Sequence, residues 1–108
     1  MINYSGKSII FENNLVELDY QIKKMIEFEN IVVVLFYDNK IIPNNIVAFD
    51  FKGNQLWKIN DIIKIKKPTG NVDMKKISES ILGVYSDLSI EYDIDVNKNE
   101  LINKMFLR

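Results

Sequence analysis

Asn45-Ile-Val-Ala-Phe-Asp-Phe-Lys-Gly-Asn-Gln-Leu-Trp-Lys-Ile-Asn60 holds two apolar runs on either side of a turn, and its reading decides the fold class. Asp50 can accept hydrogen bonds at the first position of a tight turn, and Gly53 can take φ > 0 at its end, so the segment predicts a β-hairpin. Val47, Phe49 and Phe51 share one face of its first strand and Ile46 and Ala48 the other, with Trp57 and Ile59 continuing on the return strand. Both faces are apolar, so Trp57 and Phe49 are assigned to the core.

Upstream, Ile31 to Tyr37 reads Ile-Val-Val-Val-Leu-Phe-Tyr, the pattern of a central strand covered on both sides. Something must therefore cover its second face. Asp38-Asn39-Lys40 reads as a turn, followed by Ile41 and Ile42, and Pro43-Asn44-Asn45 breaks the ladder. Val16 to Phe28 alternates with period two, which favours extended structure over a helix, and Lys23-Lys24 marks a bend or bulge within it. Ser8 to Phe11 is a short strand closed by Glu12-Asn13-Asn14, where asparagine tolerates the left-handed conformation.

Downstream, Lys64 to Lys76, with Lys66-Lys67-Pro68-Thr69-Gly70-Asn71, reads as a long loop. Asp73 to Ser80 fits either a short helix capped by Asp73, with Met74, Ile77 and Ile81 on one side, or another strand. From Leu88 the alternation is unbroken: Leu88, Ile90, Tyr92, Ile94 and Val96 face one way, and Ser89, Glu91, Asp93, Asp95 and Asn97 the other. Asn97-Lys98-Asn99 turns the chain into a final strand from Glu100 to Leu107, which carries the terminus into the sheet. The pattern is all-β: an antiparallel meander of about eight strands with at most one short helix. It forms a strongly curved sheet, half-barrel or small sandwich. Residues 1–108 make a single domain, long enough to bury roughly 65% of the unfolded surface.

Composition narrows the chemistry. With no histidine and no cysteine, the commonest general base, the thiol nucleophile, disulfides and most transition-metal ligands are missing. A serine triad cannot be assembled, and Pro68-Thr69-Gly70-Asn71 is no phosphate loop. The net charge of -1 argues against a polyanion binder, and the lysines of Ile63 to Lys76 lack arginine and stacking aromatics, so nucleic acid is not expected. No apolar run is long enough to cross a bilayer and no leader pattern opens the chain, so the cytoplasm is the simplest location. All basic residues but Arg108 are lysines, and asparagine and isoleucine are abundant, which points to an AT-rich genome.

One acidic ladder stands out. Glu91, Asp93 and Asp95 alternate along a strand, and Asp93-Ile-Asp95-Val-Asn97-Lys-Asn99-Glu100 has the outline of a calcium loop. It fails as one, with Lys98 where glycine belongs and Lys104 in place of the bidentate glutamate. No metal or other cofactor is expected. The carboxylates read as a solvated face without raised pKa values, which disfavours two-carboxylate catalysis and an enzyme altogether. The same face suits a basic protein partner, such as a nuclease toxin, and Glu91, Asp93 and Asp95 are the candidate partner-binding residues. The alternatives are a self-associating structural module, from strands apolar on both faces, or an enzyme using paired carboxylates.

Asp50-Phe-Lys-Gly53-Asn-Gln-Leu56-Trp57 is echoed in Asp95-Val-Asn-Lys-Asn99-Glu-Leu101-Ile102. The pattern resembles the strand-turn-strand of quinoprotein-type β-propeller repeats, with Asn99 for glycine and Ile102 for tryptophan in the second copy. With room for about two blades, the likeness implies a blade-like meander and not a closed propeller. Over most of its length the chain is also similar to small uncharacterised all-β proteins of low-GC bacteria, which share Ile42-Pro-Asn-Asn45 and an apolar-Asp-Val-Asn segment, here Ile94 to Asn97. Such proteins sometimes neighbour toxin genes, so the resemblance implies an immunity-type partner role.

Overall fold

The computed structural model describes residues 2–37, 45–63, 71–86 and 89–106, apart from the side chains of 71 and 72. The expected turn at Asp38 to Lys40, most of the Ile42 to Asn45 segment, Lys64 to Gly70 of the expected loop, and Leu88 lie outside these residues. The N-terminal part forms β1 (Asn3–Ser5), β2 (Ser8–Ile10) and β3 (Leu15–Glu17). Next come β4 (Ile22–Glu27), β5 (Ile31–Phe36), β6 (Ile46–Asp50), β7 (Gln55–Lys58) and a single-turn helix α1 (Ile59–Ile62). The last group is β8 (Asn71–Lys76), β9 (Ile81–Ser86), β10 (Ile90–Asp95) and β11 (Glu100–Phe106). Strands pair in the order β1-β2-β3, β4-β5-β6-β7 and β11-β10-β9-β8, so each of the three sheets is an antiparallel meander.

The sheet β4–β7 is the middle layer. Ile31, Val33, Leu35, Ile46, Ala48 and Trp57 pack on one side against Met74, Leu82, Val84, Ile90, Tyr92, Ile94 and Val96 of the C-terminal part. Val32, Val34, Phe36, Val47 and Phe49 pack on the other side with Ile9 and Phe11 of the N-terminal part. The alternation of side chains along a strand sends each apolar set to its own cover. The expected sandwich therefore has three layers, the sheets do not close into a barrel, and the second cover comes from within the chain. Eleven strands among the described residues replace the expected eight or so, chiefly because the N-terminal third folds back twice over three-residue strands.

The hairpin turn is built as its sequence predicts. Asp50 Oδ1 accepts hydrogen bonds from the backbone N–H groups of Lys52 and Asn54, each at 2.9 Å, and Oδ2 accepts from Asn54 Nδ2 at 3.0 Å. The Asn54 amides, backbone first, hold the Asp50 carboxyl below the usual range. Gly53 has φ +90°, and a Cβ there would stand 2.5 Å from Val16 Cγ2 of β3, so the turn is pressed onto the N-terminal sheet. The echoed turn works alike: Asp95 Oδ1 accepts from the N–H groups of Asn97 and Lys98, both at 3.0 Å. Its positive φ falls one residue later than in the first turn, at Asn99 (+56°). The return strand of the first hairpin reaches the second turn, since Trp57 Nε1 donates to the Val96 carbonyl at 3.4 Å.

Several expectations are corrected. The segment from Asp73 is strand to Lys76, and so is the end of the expected loop from Asn71; the helix lies at Ile59–Ile62, where the return strand was expected to continue. There Asp61 Oδ2 accepts the Lys58 N–H at 3.1 Å, which closes a turn in spite of the β-branched Ile59. Val16 to Phe28 is interrupted at 18–21, although the irregularity at Lys23-Lys24 is present as a register shift between Ile22 and Lys24. The turn after Phe11 closes through Phe11 N–H to the Asn14 carbonyl at 2.8 Å, without a left-handed asparagine. Phe51 leaves the core face and is exposed, and β11 lies at a sheet edge, exposed along its whole length.

Leu35→Ala, in the middle layer, is expected to cost about 2–5 kcal/mol in urea unfolding, while Leu56→Ala on the exposed side of β7 stays within about 0.5 kcal/mol. Gly6 and Gly53 both have positive φ, but a Cβ at Gly6 meets nothing within 4 Å. Gly53→Ala should therefore destabilise clearly more than Gly6→Ala, which bears only the cost of the left-handed backbone, about 1–2 kcal/mol. Equal losses from the two would show that the hairpin tip does not press on Val16.

Candidate functional site

The strand β10 separates two environments. Ile90, Tyr92 and Ile94 enter the core, and Glu91, Asp93 and Asp95 project from the opposite face of the C-terminal sheet. Across that face Glu91 stands beside Tyr85 of β9 and Met105 of β11, Asp93 between Gly83 and Asn103, and Asp95 between Ile81 and Glu100. Lys75 of β8 lies next to Gly83. Gly83 leaves a gap that other residues use, since a Cβ there would stand 2.9 Å from Ile77 Cδ1 and 3.6 Å from Lys75 Cγ. The Lys75 ammonium sits 5.5 Å from the centre of the Tyr85 ring.

The three carboxylates of the ladder turn out to have three different roles. Asp95 is occupied in the turn described above. Asp93 is half-buried; its Oδ2 accepts from Asn103 Nδ2 at 3.3 Å, and its buried Oδ1 is reached by no N–H or hydroxyl donor among the described residues. Glu91 is only 6% exposed. Its pKa is raised by the hydrogen bond it shares with the Asp93 carboxyl, by burial, and by the Asp93 charge, against the opposing pull of Lys75 and Tyr85. The expectation of a uniformly solvated face with ordinary acidities is corrected here. A carboxylic acid beside a carboxylate satisfies more of their lone pairs than two charges would. Lys75 in turn is held protonated to higher pH by Tyr85 first and then by Glu91 and Asp93.

Sequence reasoning placed these acids on one face but missed what lies around them. Tyr85, Lys75 and Met105 come from three other strands, and the only local signal was Gly83, whose missing side chain admits its neighbours. It also missed an open cleft of about 590 Å³ between the first hairpin tip and the β2–β3 turn, with Ile2, Phe11 and Phe51 inside and Glu12, Glu27 and Lys52 around it. Asn14 Nδ2 donates to the Lys52 carbonyl at 3.2 Å beside it. No group of three or more Asp, Glu, His or Cys among the described residues is arranged to hold a metal ion.

Because Glu91 binds its proton more tightly in the folded state, its contribution to stability is full below the unfolded pKa and is lost as pH rises through the raised folded value. Glu91→Gln keeps a neutral, hydrogen-bonding group in place. Compared with the unmodified protein in urea unfolding from about pH 4 to 8, it should gain relative stability as pH rises. A constant difference across that range would mean that folding leaves the acidity of Glu91 unchanged.

No curated protein and no solved structure matches the chain. A family model does, over residues 1–106, nearly the whole of the three-layered fold. The chain belongs to this family, described as a domain of unknown function, DUF7957.

Proposed function

We propose that the protein is a non-catalytic, cytoplasmic binding module whose C-terminal sheet face receives a basic protein partner, in the manner of an immunity protein covering a toxin. The observation that carries this reading is Asp93 Oδ1, a buried acceptor reached by no N–H or hydroxyl donor among the described residues, in a carboxyl pair held together by the Glu91 proton. A guanidinium or ammonium group from a partner supplies the missing donor and, by stabilising negative charge, draws the proton from Glu91. Exposed Ile77 and Met105 border the acids and give a partner apolar area around the polar centre, the usual anatomy of a contact surface. The face-to-face stacking of two four-stranded antiparallel meanders supports the blade-like reading, and lysines tie β4 to β8 along one side. Lys24 Nζ reaches Asp73 Oδ1 at 3.1 Å, and Lys76 Nζ reaches the Glu27 carbonyl at 3.1 Å.

Tagged protein recovered from its native host is expected to carry a basic partner in stoichiometric amount. Asp93→Ala and Met105→Asp should each release it while the sole tryptophan, Trp57, keeps its buried emission. Recovery of the chain without a partner, or retention of the partner by both variants, would remove this reading.

A further inference from the structure

The cleft of about 590 Å³ belongs to the N-terminal sheet, and both of its walls are tight turns. On one side Phe11 N–H donates to the Asn14 carbonyl at 2.8 Å. On the other, Asp50 N–H donates to the Asn54 carbonyl at 2.9 Å and Gly53 N–H to the Asp50 carbonyl at 3.1 Å. The Asn14 side-chain amide joins the two walls through its hydrogen bond to the Lys52 carbonyl. A space framed in this way is preformed, and its volume is that of a site for a small organic molecule. Its apolar part is Ile2, Phe11 and Phe51. Phe11 is buried behind it, whereas Phe51, set just after the aspartate that caps the turn, is 37% exposed and offers its ring to whatever fills the space.

The charge around this space is unbalanced. Glu12 and Glu27 line it with two carboxylates against the single ammonium of Lys52. Lys52 has a counter-charge of its own in Asp50, whose carboxyl is kept acidic first by the Asn54 hydrogen bonds and also by the Lys52 charge. Among the described residues the Glu27 carboxylate has neither a hydrogen bond nor an ion pair. Lys76 donates to the Glu27 carbonyl, but its ammonium lies 5.0 Å from the centre of the Phe28 ring, and Phe28 packs on the other side of the middle sheet from Phe11. We propose that the cleft binds a small aromatic amine in its ammonium form, the ring over Ile2, Phe11 and Phe51 and the ammonium group at Glu27. Removing apolar area from water drives the binding, and the carboxylates select the cation over a neutral or anionic molecule with the same ring. This site goes beyond the binding of a basic protein and does not depend on it, because the acidic face belongs to the C-terminal sheet.

Tryptamine, tryptophol and indole-3-propionate share one ring system and differ in charge, so they serve as probes. Titrated into ¹⁵N-labelled protein, tryptamine should move the backbone amide resonances of residues 11–14 and 51–53 saturably. Tryptophol should bind the same residues about two- to fivefold more weakly, the usual worth of one exposed ion pair, and indole-3-propionate more weakly still. Glu27→Gln should lower the affinity for tryptamine by about that factor and leave tryptophol unchanged, while Phe51→Ala weakens both. Glu27 and Phe51 are exposed, and unchanged emission from the buried Trp57 checks that each variant is folded. The proposal is overturned if no saturable shifts appear at these residues, if the three probes bind alike, or if Glu27→Gln leaves tryptamine binding as it was.

Discussion

The structure depends on one constraint: the strands of the middle sheet are apolar on both faces, and water must be kept from both. Ile31–Phe36 and Ile46–Phe49 are buried end to end, at roughly 25 cal/mol for each Å² of apolar surface removed from water. A single sheet cannot meet that demand, and a two-layer sandwich meets half of it. The chain meets it by placing a small N-terminal sheet on one side and a four-stranded meander on the other. Much else follows from this arrangement. The first hairpin tip has to press its glycine onto Val16 of the covering sheet, and Trp57 has to reach across to Val96 of the other.

The outermost position of the C-terminal meander explains the acidic face. Its inner side is committed to the core, so its outer side is free to carry groups that would be costly elsewhere. Even there burial is uneven. Lys75, Tyr85 and Met105 surround Glu91 closely enough to exclude water, and a carboxyl deprived of water and set beside another carboxylate keeps its proton more readily. Asp93 is left with one oxygen bonded to Asn103 and one reached by no N–H or hydroxyl donor among the described residues, so the proton it shares with Glu91 matters more.

Much of this was legible from residues alone, and for a common reason. The turns at Asp50 and Asp95 depend on side chains that bond their own backbone two to four residues on, and the strand β10 depends on alternation within six residues. Both are local. The errors arose where a distant or competing contact prevailed. Asp61 captured the Lys58 N–H and bent Ile59 into a helical turn. Asp73 met Lys24 from β4, 49 residues away, and stayed in a strand where its sequence equally suited a helix cap. Phe51 follows the turn-capping aspartate and so leaves the face it would hold in an uninterrupted strand.

The sequence by itself determined where strands run, where two aspartate-led turns reverse the chain, and which faces are apolar, because backbone periodicity and side-chain capping act over a few residues. Tertiary structure alone decided the order of the layers, which of three outward acids would be buried, and that β11 would stand exposed at an edge. Burial and acidity at a given position are set by segments far away in the chain, whose approach leaves no mark on the local pattern. Glu91 and Asp95 occupy equivalent places in one alternation, yet the first is buried beneath Lys75 and Tyr85 and the second serves a turn.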